Sequence, residues 1–324
     1  MALTSEQREW LTLALVPGVG TTLFVRLLAR FRTAGEVLRA SEAQLRDVVG
    51  PKLAERIRNY KGVVDVAGQE LLLEQYGATL VTMDETAYPR ALAEIYDPPL
   101  VLFARGELRE QHQYAVAIVG TRTPSPYGYR VAQKLGRELA ARGITVVSGL
   151  ASGTDTAAHQ GALDAGGQTI AVLGCGVDVV YPAENAGLMN DIVQRGCVLS
   201  SFFMGVKPSK GHFPFRNRII SGLSMGTIVV EAPPSSGALI TARFAIEQGR
   251  EVFAVPGHIG ERNAMGPHSL LREGAKLVES VDDVLEEFGP LCEAATTAEG
   301  REIRVPAELQ LGDVERRVLE AVDA

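Results

Sequence analysis

The sequence predicts an α/β fold built on an extended, doubly wound, mostly parallel sheet of the Rossmann-like type. Between about residue 63 and residue 288, short apolar runs alternate regularly with helical segments. Short runs of nearly continuous apolar residues are typical of parallel strands that are buried on both faces. The chain also has 34 glycines among its 324 residues, which suits a fold with many tight turns between strands and helices. A small all-helical domain is expected before the sheet and a short helical tail after it.

The first element in chain order is the helical domain, predicted over residues 1–62. An apolar helix is followed by the turn Pro17-Gly18-Val19-Gly20 and a second helix, and a later pair of helices turns at Gly50-Pro51. Two such units in tandem resemble a helix-hairpin-helix or SAM-like module, in which a glycine turn lets backbone N–H groups approach a phosphate. A helical bundle used for protein contacts explains the same pattern, because no Lys or Arg closely flanks the first turn. Both interpretations stay open.

The second element is the sheet domain, predicted over residues 63–288. A helix and a strand come first, followed by a short helix, a Pro-Pro turn and the strand Leu100–Ala104. Seven more strands are predicted at AVAIVG, ITVVSG, TIAVLG, CVLSSF, GTIVVEA, EVFAVPG and KLVES. The helices between and after them are predicted at 127–142, 155–165, 185–196, 216–225, 238–249 and 267–274. Open sheets of this kind bind ligands outside the C-terminal ends of their strands.

The last elements are a linker and a helical tail. Residues 289–303 are small and polar, which is typical of a linker. Residues 304–324 begin an amphipathic helix, and we interpret them as the start of a truncated or degenerate winged-helix-like domain.

Composition and cysteine use favour a cytoplasmic protein. The three cysteines (Cys175, Cys197 and Cys292) are widely spaced and odd in number, which argues against a disulfide framework and fits a reducing compartment. The N-terminus shows no signal peptide, and no apolar run reaches the length of a membrane span. Cys175 lies between two glycines, but the sequence suggests no activating base, so we expect a small buried residue there.

The formal net charge of -7 describes the average field and does not exclude a local basic site. Between Asp191 and Glu231 there is no Asp or Glu at all. That window of 39 residues contains five cations: Arg195, Lys207, Lys210, Arg216 and Arg218. It also contains the stretch HFPFRNRIISGLS, in which two arginines flank an asparagine. A basic window in an acidic chain indicates an anionic partner.

The loops after the strands carry groups suited to phosphates. Gly120 permits a tight turn after the first strand of the alternating series, so that Arg122 can reach over the strand ends. The run SGLASGTD leads into a helix, and SSG after the strand GTIVVEA leads into another. Backbone N–H groups at helix starts, together with serine hydroxyls, bind anions. The sequence therefore predicts two or three anion-binding loops beside a cationic strip, which fits a phosphodiester chain better than a small metabolite.

Motifs for other chemistry are missing from the sequence. There is no G-x-G-x-x-G run, no C-x-x-C and no H-E-x-x-H, so neither a dinucleotide nor a metal site is indicated. Asp155 and His159 lie one helical turn apart, but no nucleophile in a G-x-S-x-G context accompanies them. We therefore expect no cofactor and no metal, and a hydrolase built on Asp155 and His159 is not indicated.

Seven motifs in order carry a family resemblance: YPRALAEIYDPPLVLFARG, VAIVGTRTPSPYG, VVSGLASGTDTAAHQGAL, LGCGVDVVYPAEN, HFPFRNRIISGLS, IVVEAPPSSGALITARFAIEQGREVFAVPG and NAMGPHSLLREGAKLV. Over about residues 75–288 the chain resembles the DNA-processing protein A family (DprA, also called Smf). The resemblance implies a non-catalytic protein that binds single-stranded DNA without sequence preference. It further implies protection of incoming DNA, loading of the RecA recombinase in natural transformation, and a homodimer formed through the Rossmann-like domain.

Carried over by motif, the resemblance assigns the DNA contacts to residues of this chain. Arg122 corresponds to an arginine that grips the DNA backbone, Lys210 to a second phosphate contact, and Phe213 is available to stack or pack. The pocket lining implied by the motifs is Ser148, Gly149, Gly153, Arg216, Asn217, Arg218, Ser236 and Gly237. For the dimer interface we expect the apolar pair Leu270 and Leu271 with the adjacent 267–280 segment. The sequence does not say which of Arg216 and Arg218 touches DNA.

Two other functions fit the same fold. Phosphoribohydrolases acting on nucleoside monophosphates have a Rossmann-like fold with glycine loops, and there Arg122 would hold the phosphate while Glu231 acted on the ribose. The stretch PPSSGALIT departs from the Gly-Gly-x-Gly-Thr run of those enzymes. A nucleotide-sensing regulator without turnover is the third alternative.

Overall fold

The structure is a computed structural model and describes residues 3–109, 112, 114–288, 294–296 and 302–304. Five helices come first: α1 Ser5–Leu15, α2 Thr21–Phe31, α3 Ala34–Arg39, α4 Glu42–Val49 and α5 Pro51–Arg58. Thr4 and Ser41 form capping boxes at the starts of α1 and α4, which satisfies backbone N–H groups that a helix start leaves free. The turns at Gly18 and Gly50 have φ angles of 98° and 77°, conformations that glycine adopts at little cost.

A nine-stranded sheet follows. Its strands are β1 Ala78–Thr82, β2 Val101–Gly106, β3 Ala115–Val119, β4 Thr145–Ser148, β5 Thr169–Val172, β6 Cys197–Ser200, β7 Gly226–Val229, β8 Glu251–Ala254 and β9 Lys276–Leu277. Their order across the sheet is β1-β2-β6-β5-β4-β3-β7-β8-β9. The strands from β6 to β9 in this order are parallel, whereas β2 runs antiparallel to both β1 and β6. This confirms the predicted Rossmann-like, mostly parallel sheet.

Nine further helices accompany the sheet in the part of the chain that the structure describes. They are α6 Val66–Tyr76, α7 Arg90–Ala93, α8 Pro126–Ala141, α9 Thr154–Asp164, α10 Ala186–Arg195, α11 His212–Gly222, α12 Gly237–Glu247, α13 Met265–Arg272 and α14 Asp282–Phe288. One face of the sheet packs against α7, α11, α12 and α13, and the other packs against α8, α9 and α14. Both faces are therefore covered, and all five residues of β3 are buried, as expected for a central parallel strand.

Helix α11 begins four residues earlier than the sequence predicted, at His212 instead of residue 216. Pro214 is the third residue of the helix, where its missing N–H group costs nothing because the first turn has no intrahelical acceptors for those groups. The consequence concerns the RNR stretch. Arg216, Asn217 and Arg218 lie within the helix and are buried, whereas the predicted helix over 216–225 placed them in its first turn.

The first helices pack against the β1 edge of the sheet. The Gln7 side chain donates a hydrogen bond of 2.9 Å to the carbonyl oxygen of Leu80 in β1. Arg8 and Glu70 form an ion pair of 2.7 Å, and the Thr21 hydroxyl donates to the Pro98 carbonyl at 3.2 Å. The core of these helices is continuous with apolar residues of β1 and β2.

The segment after α14 is described only in part. Two short strands, β10 Ala294–Thr296 and β11 Glu302–Arg304, pair antiparallel, and all of their residues except Arg304 fall in the range predicted as a linker. The predicted start of a winged-helix-like domain at 304–324 lies outside the described residues apart from Arg304. Within the described ranges, no helix is both long and apolar enough to cross a membrane.

Candidate functional site

The C-terminal ends of β3, β4 and β7 surround a cleft of about 320 Å³. The chain builds β4, β5 and β6 on one side of β3 and then returns to place β7 on the other side. This change of direction is a topological switch point, where loops on either side diverge and leave a crevice for a ligand. The cleft is closed by the N-terminal halves of α11 and α12. The sequence placed the binding site at this edge of the sheet.

Arg122 lies at the mouth of the cleft and is exposed to solvent. Its guanidinium carbon lies 5.2 Å from the centroid of the Phe213 ring, a distance at which a cation is attracted to an aromatic face. The Tyr181 ring lies 5.5 Å from the Phe213 ring. Among the described residues, the Arg122 side chain has no ion-pair partner. The cation at the mouth is thus available to an anionic ligand.

Arg216 forms part of the inner wall and is 4% exposed. Its Nη1 donates hydrogen bonds to the carbonyl oxygens of Gly149, at 2.6 Å, and of Val172. Burial lowers the pKa of Arg216 to about 10, and the nearby Asp155 carboxylate opposes this effect. Arg216 therefore stays positively charged at neutral pH and contributes a fixed positive potential to the cleft.

The backbone of the loop after β4 binds a carboxylate of the protein itself, that of Asp155. The Asp155 carboxylate accepts hydrogen bonds from the backbone N–H groups of Gly149, at 3.1 Å, and of Ala151, at 3.3 Å. Burial raises the pKa of Asp155, while the Arg216 charge and these N–H groups lower it. Two backbone N–H groups of the loop that the sequence predicted to bind a phosphate are therefore already occupied.

Ser148 and Gly153 shape this loop from behind the cleft. The buried Ser148 hydroxyl donates a hydrogen bond of 2.6 Å to the Ile118 carbonyl. Gly153 has a φ angle of 84°, and a Cβ atom there would overlap the Arg122 carbonyl oxygen. Neither residue is part of the lining of the 320 Å³ cleft. The prediction that Ser148 and Gly153 contact DNA stays a prediction, and the geometry gives them a supporting position.

The second anion-binding loop is open. The Ser236 hydroxyl caps α12 by accepting a hydrogen bond of 3.2 Å from the Ala238 N–H group. Gly237 is exposed, and no atom lies within 4 Å of the position a Cβ would take. Asn217 reaches from α11 to donate a hydrogen bond of 3.1 Å to the Gly237 carbonyl. All three residues line the cleft, so the start of α12 presents its positive end to a ligand there.

Arg218 points to a different part of the molecule from Arg216. Its guanidinium donates to the backbone carbonyl of Asp97, and its Nη2 lies 3.6 Å from the Asp97 carboxylate. The group also lies 4.2 Å from the centroid of the Phe215 ring, and burial lowers its pKa. Arg218 is not among the residues that line the cleft. The structure thus separates two arginines that the sequence could not tell apart.

Aromatic side chains extend from the cleft toward Lys210. The Phe202 and His212 rings stack with centroids 4.3 Å apart, and the Phe215 ring lies 6.0 Å from Phe202 and is 46% exposed. Lys210 is exposed and lies two residues before His212, the first residue of α11. The exposed Phe215 ring suits a nucleic-acid strand, because every base has a face that stacks.

The comparisons with known proteins assign the family. A family model described as DNA recombination-mediator protein A matches residues 79–289. The chain belongs to this family. Protein Smf from Synechocystis is 38% identical over 317 residues, which cover 95% of this chain and 78% of the relative. DNA processing protein DprA from Bacillus subtilis is 45% identical over 215 residues, which cover 66% of this chain and 72% of the relative.

Two solved structures of the DprA family are similar to this one. DprA from Streptococcus pneumoniae has a TM-score of 0.78 at 38% identity and covers 89% of this chain and 99% of its own. DprA from Helicobacter pylori has a TM-score of 0.59 at 31% identity and covers 66% of this chain and 96% of its own. The work on the Helicobacter protein describes its single-stranded DNA binding mode. The predicted DprA/Smf family and its Rossmann-like fold are confirmed.

Glu231 lies two residues after the end of β7 in this DprA-family chain. Both of its carboxylate oxygens accept hydrogen bonds. One oxygen accepts from the Ser125 hydroxyl at 2.6 Å, and the other from the Ser125 N–H group at 2.8 Å and from Asn263 at 3.3 Å. Its own carbonyl accepts from the Thr121 N–H group at 2.7 Å. Glu231 lines a separate cavity of about 270 Å³ beside Tyr127. Glu231 therefore fixes the loop that carries Arg122, and neither arginine of the RNR stretch pairs with it in the described structure.

The structure distinguishes the two leucines predicted at a dimer interface. Leu270 is 6% exposed and packs in the core of the sheet domain with Ala232 and α12. Leu271 is half-buried at the edge of the same cluster. The Leu270 side chain is therefore used within the monomer, and the prediction of an interface at α13 depends on Leu271 and its exposed neighbours.

Sequence reasoning missed several lining residues. Thr121, Ala151 and Pro233 line the cleft, and Tyr181 lies against Phe213. Their signal in the sequence is positional, because Thr121, Ala151 and Pro233 each follow closely on the end of a strand. The expected buried state of Cys175 is confirmed at 1% exposure, and burial raises its pKa to about 11. Across the described residues, no cluster of His, Cys, Asp and Glu could hold a metal ion.

Proposed function

We propose that this protein binds single-stranded DNA through its phosphodiester backbone in the cleft between β3, β4 and β7. The observation that carries the proposal is the position of Arg122, an exposed and unpaired cation held over the Phe213 ring at the mouth of a cleft whose inner wall holds Arg216 beside Asp155. The relative from Helicobacter pylori, which shares 31% identity, is described with a single-stranded DNA binding mode.

The residues of the cleft divide into two roles. Arg122 and the start of α12 at Gly237 contact phosphates, while Phe213 offers a ring face to a base. Lys210 extends the positive surface beyond the cleft. Such contacts read no base edges, so binding is independent of sequence. Each phosphate neutralised contributes about -0.7 to the slope of log affinity against log salt for single strands.

In the cell, the proposed role is that of a non-catalytic mediator of recombination in the cytoplasm. The protein protects incoming single strands from nucleases and loads RecA onto them during natural transformation, and it acts as a homodimer. Membership of the DNA recombination-mediator protein A family supports this role.

The alternative of a phosphoribohydrolase is disfavoured by the geometry of Glu231. That enzyme requires a carboxylate beside the phosphate site, free to act on a ribose. The Glu231 oxygens instead accept hydrogen bonds from Ser125 and Asn263, and Glu231 lines the neighbouring cavity and not the Arg122 cleft. For the third alternative, a regulator that senses nucleotides without turnover, no feature of the described structure argues separately.

Fluorescence anisotropy with a labelled oligo-dT of about 35 nucleotides tests the proposal, compared with a duplex and across a salt series. We expect single strands to bind more tightly than the duplex, and affinity to fall steeply with salt. Arg122→Ala and Lys210→Ala should each weaken binding at least tenfold, whereas Arg243→Ala, which removes an exposed cation of α12, should not. Equal affinity of all three variants and the parent would refute the site, and release of a base from a nucleoside monophosphate would instead support the enzyme.

A further inference from the structure

Charge is distributed unequally between the first helices and the rest of the chain. Residues 1–62 contain ten Lys and Arg against six Asp and Glu. The remaining residues contain 22 Lys and Arg against 33 Asp and Glu. A positively charged helical module on an acidic protein sets up a local field that attracts polyanions. A phosphate-binding surface on these helices is therefore expected where their cations lie close together.

Three arginines gather at the junction of α2, α3 and α4. Arg30, Arg32 and Arg39 line an open groove of about 370 Å³, together with Phe31 and Glu36. We call this surface the arginine groove and define it by Arg30, Arg32 and Arg39. Its lining carries three positive charges and one negative charge, so the groove as a whole is cationic.

The arginines of the groove differ in their internal partners. Arg39 forms an ion pair of 3.1 Å with Glu9. In the described structure, Arg30 and Arg32 have no ion-pair partner, and the Arg30 guanidinium lies 5.8 Å from the centroid of the adjacent Phe31 ring. Two exposed and unpaired guanidinium groups in one concave surface are suited to phosphate oxygens, since a guanidinium donates two parallel hydrogen bonds to a phosphate.

The backbone at Arg32 is unusual. Arg32 ends α2 with a φ angle of 72° and a ψ angle of -46°, and Leu150 is the only other non-glycine residue with positive φ in the described structure. Such a conformation costs a non-glycine residue on the order of 1–3 kcal/mol, and glycine would adopt it at less cost. An arginine at this position therefore destabilises the fold relative to glycine, and its side chain lines the groove.

We propose that the arginine groove is a second phosphate-binding surface, which holds the backbone of the same single strand that occupies the cleft at the sheet. This inference rests on the proposed binding of single-stranded DNA and extends it to the helical module. The occupant is a phosphodiester chain, because the groove offers guanidinium groups for phosphates and only one aromatic ring. A strand held at two separated surfaces gains affinity from the effective concentration of its second segment.

The test uses the full chain and the double variant R30Q/R32G. Gln retains helix propensity at position 30, and Gly suits the φ angle at position 32, so the variant should remain folded with an unchanged or higher unfolding midpoint. The matched control is K52Q/K61Q, which removes two exposed cations of the same module that do not line the groove. Binding is measured by anisotropy with oligo-dT of about 6 and about 35 nucleotides.

For the long strand we expect R30Q/R32G to weaken binding at least fivefold and to reduce the salt slope by about 1.4, equivalent to two phosphate contacts. For the short strand we expect the affinity of the parent, because one site suffices for it. The control should change the long-strand affinity by less than twofold. Parental affinity of R30Q/R32G for the long strand overturns the inference, as does an equal loss in the control. Failure of the parent to bind either strand would instead refute the proposed function.

Discussion

The Arg216 Nη1 atom donates a hydrogen bond of 2.6 Å to the carbonyl oxygen of Gly149, a residue 67 positions away in the chain. A Cβ atom on Gly149 would overlap the same guanidinium group. The glycine after β4 is therefore required by a buried arginine of α11, and this contact joins the two sides of the cleft. The resemblance to the DprA family assigned Gly149 to the DNA contacts, whereas the contact observed is internal.

Gly149→Ala should displace Arg216 and destabilise the protein. An added methyl group in a tightly packed region costs about 1–3 kcal/mol, and the displaced guanidinium also loses hydrogen bonds to Gly149 and Val172. We expect the free energy of unfolding in urea to fall by that amount. Gly187→Ala is the control, because no atom lies within 4 Å of its Cβ position at the start of α10. A Gly149→Ala protein as stable as the parent would show that Arg216 has room to move.

Arg218 should matter for stability and not for DNA binding. Arg218→Gln removes the contacts to Asp97 and the stacking on Phe215, and we expect a loss of about 1–3 kcal/mol in the free energy of unfolding. Affinity for oligo-dT should change by less than twofold. Arg122→Ala should behave in the opposite way, with weaker binding and stability within about 0.5 kcal/mol of the parent. A loss of affinity in Arg218→Gln without a loss of stability contradicts this assignment.

Glu231→Gln should weaken DNA binding indirectly. The carboxylate accepts hydrogen bonds from Ser125 and Asn263. Because hydrogen bonds to a charged group are the stronger ones, we expect loss of the charge to lower the free energy of unfolding by about 1.5–3 kcal/mol. The loop that carries Arg122 should become less well positioned, so affinity for oligo-dT should fall several-fold. Glu261→Gln is the matched control, since Glu261 lines the same cavity but is exposed. Similar effects of both substitutions on affinity would indicate a general charge effect.

His159 should make the protein less stable in acid. It is fully buried against Thr169, with 2.6 Å between Nδ1 and Oγ1, and burial lowers its pKa from 6.5 to about 3. Because the unfolded state binds the proton more tightly, stability is lost as the pH falls below about 6.5, by about 1.4 kcal/mol per unit. The loss from this group ends near pH 3.

Urea unfolding of the parent and of His159→Asn between pH 7.5 and pH 4.5 measures this contribution. The difference between the two stabilities should shrink by about 2.7 kcal/mol over the two units below pH 6.5. The raised pKa of Asp155 acts in the opposite direction in both proteins, so the difference isolates His159. Parallel pH profiles would mean that His159 is not the group that takes up the proton.

The fold was predictable because its elements carry local signals. Fully apolar runs such as that of β3 identify buried parallel strands, and Gly18 and Gly50 mark the helical turns. The order of strands was not predictable, because it depends on pairings between distant segments such as β2 and β6. The start of α11 was placed too late, at residue 216 instead of His212, although a first helical turn accommodates the proline at position 214.

The candidate site was predictable in place and only partly in detail. Arg122 and Gly237 line the cleft, since Arg122 follows the end of β3 and Gly237 begins α12 at the expected edge. Asn217 also lines the cleft, from within α11. The burial of Arg216 and Arg218 depends on the carbonyl groups of Gly149, Val172 and Asp97, which only the tertiary fold brings to them. An Arg-x-Arg spacing on its own does not distinguish an arginine that contacts a ligand from one that is bonded internally.

The hydrogen bond from Gln7 to the Leu80 carbonyl has a consequence for solubility. β1 is an edge strand of the sheet, and edge strands offer free backbone groups on which another chain can add a strand. The first helices occupy one of these acceptors and cover the apolar residues beside it. They thereby hinder another chain from adding a strand at this edge. This matters most while the rest of the chain is still folding.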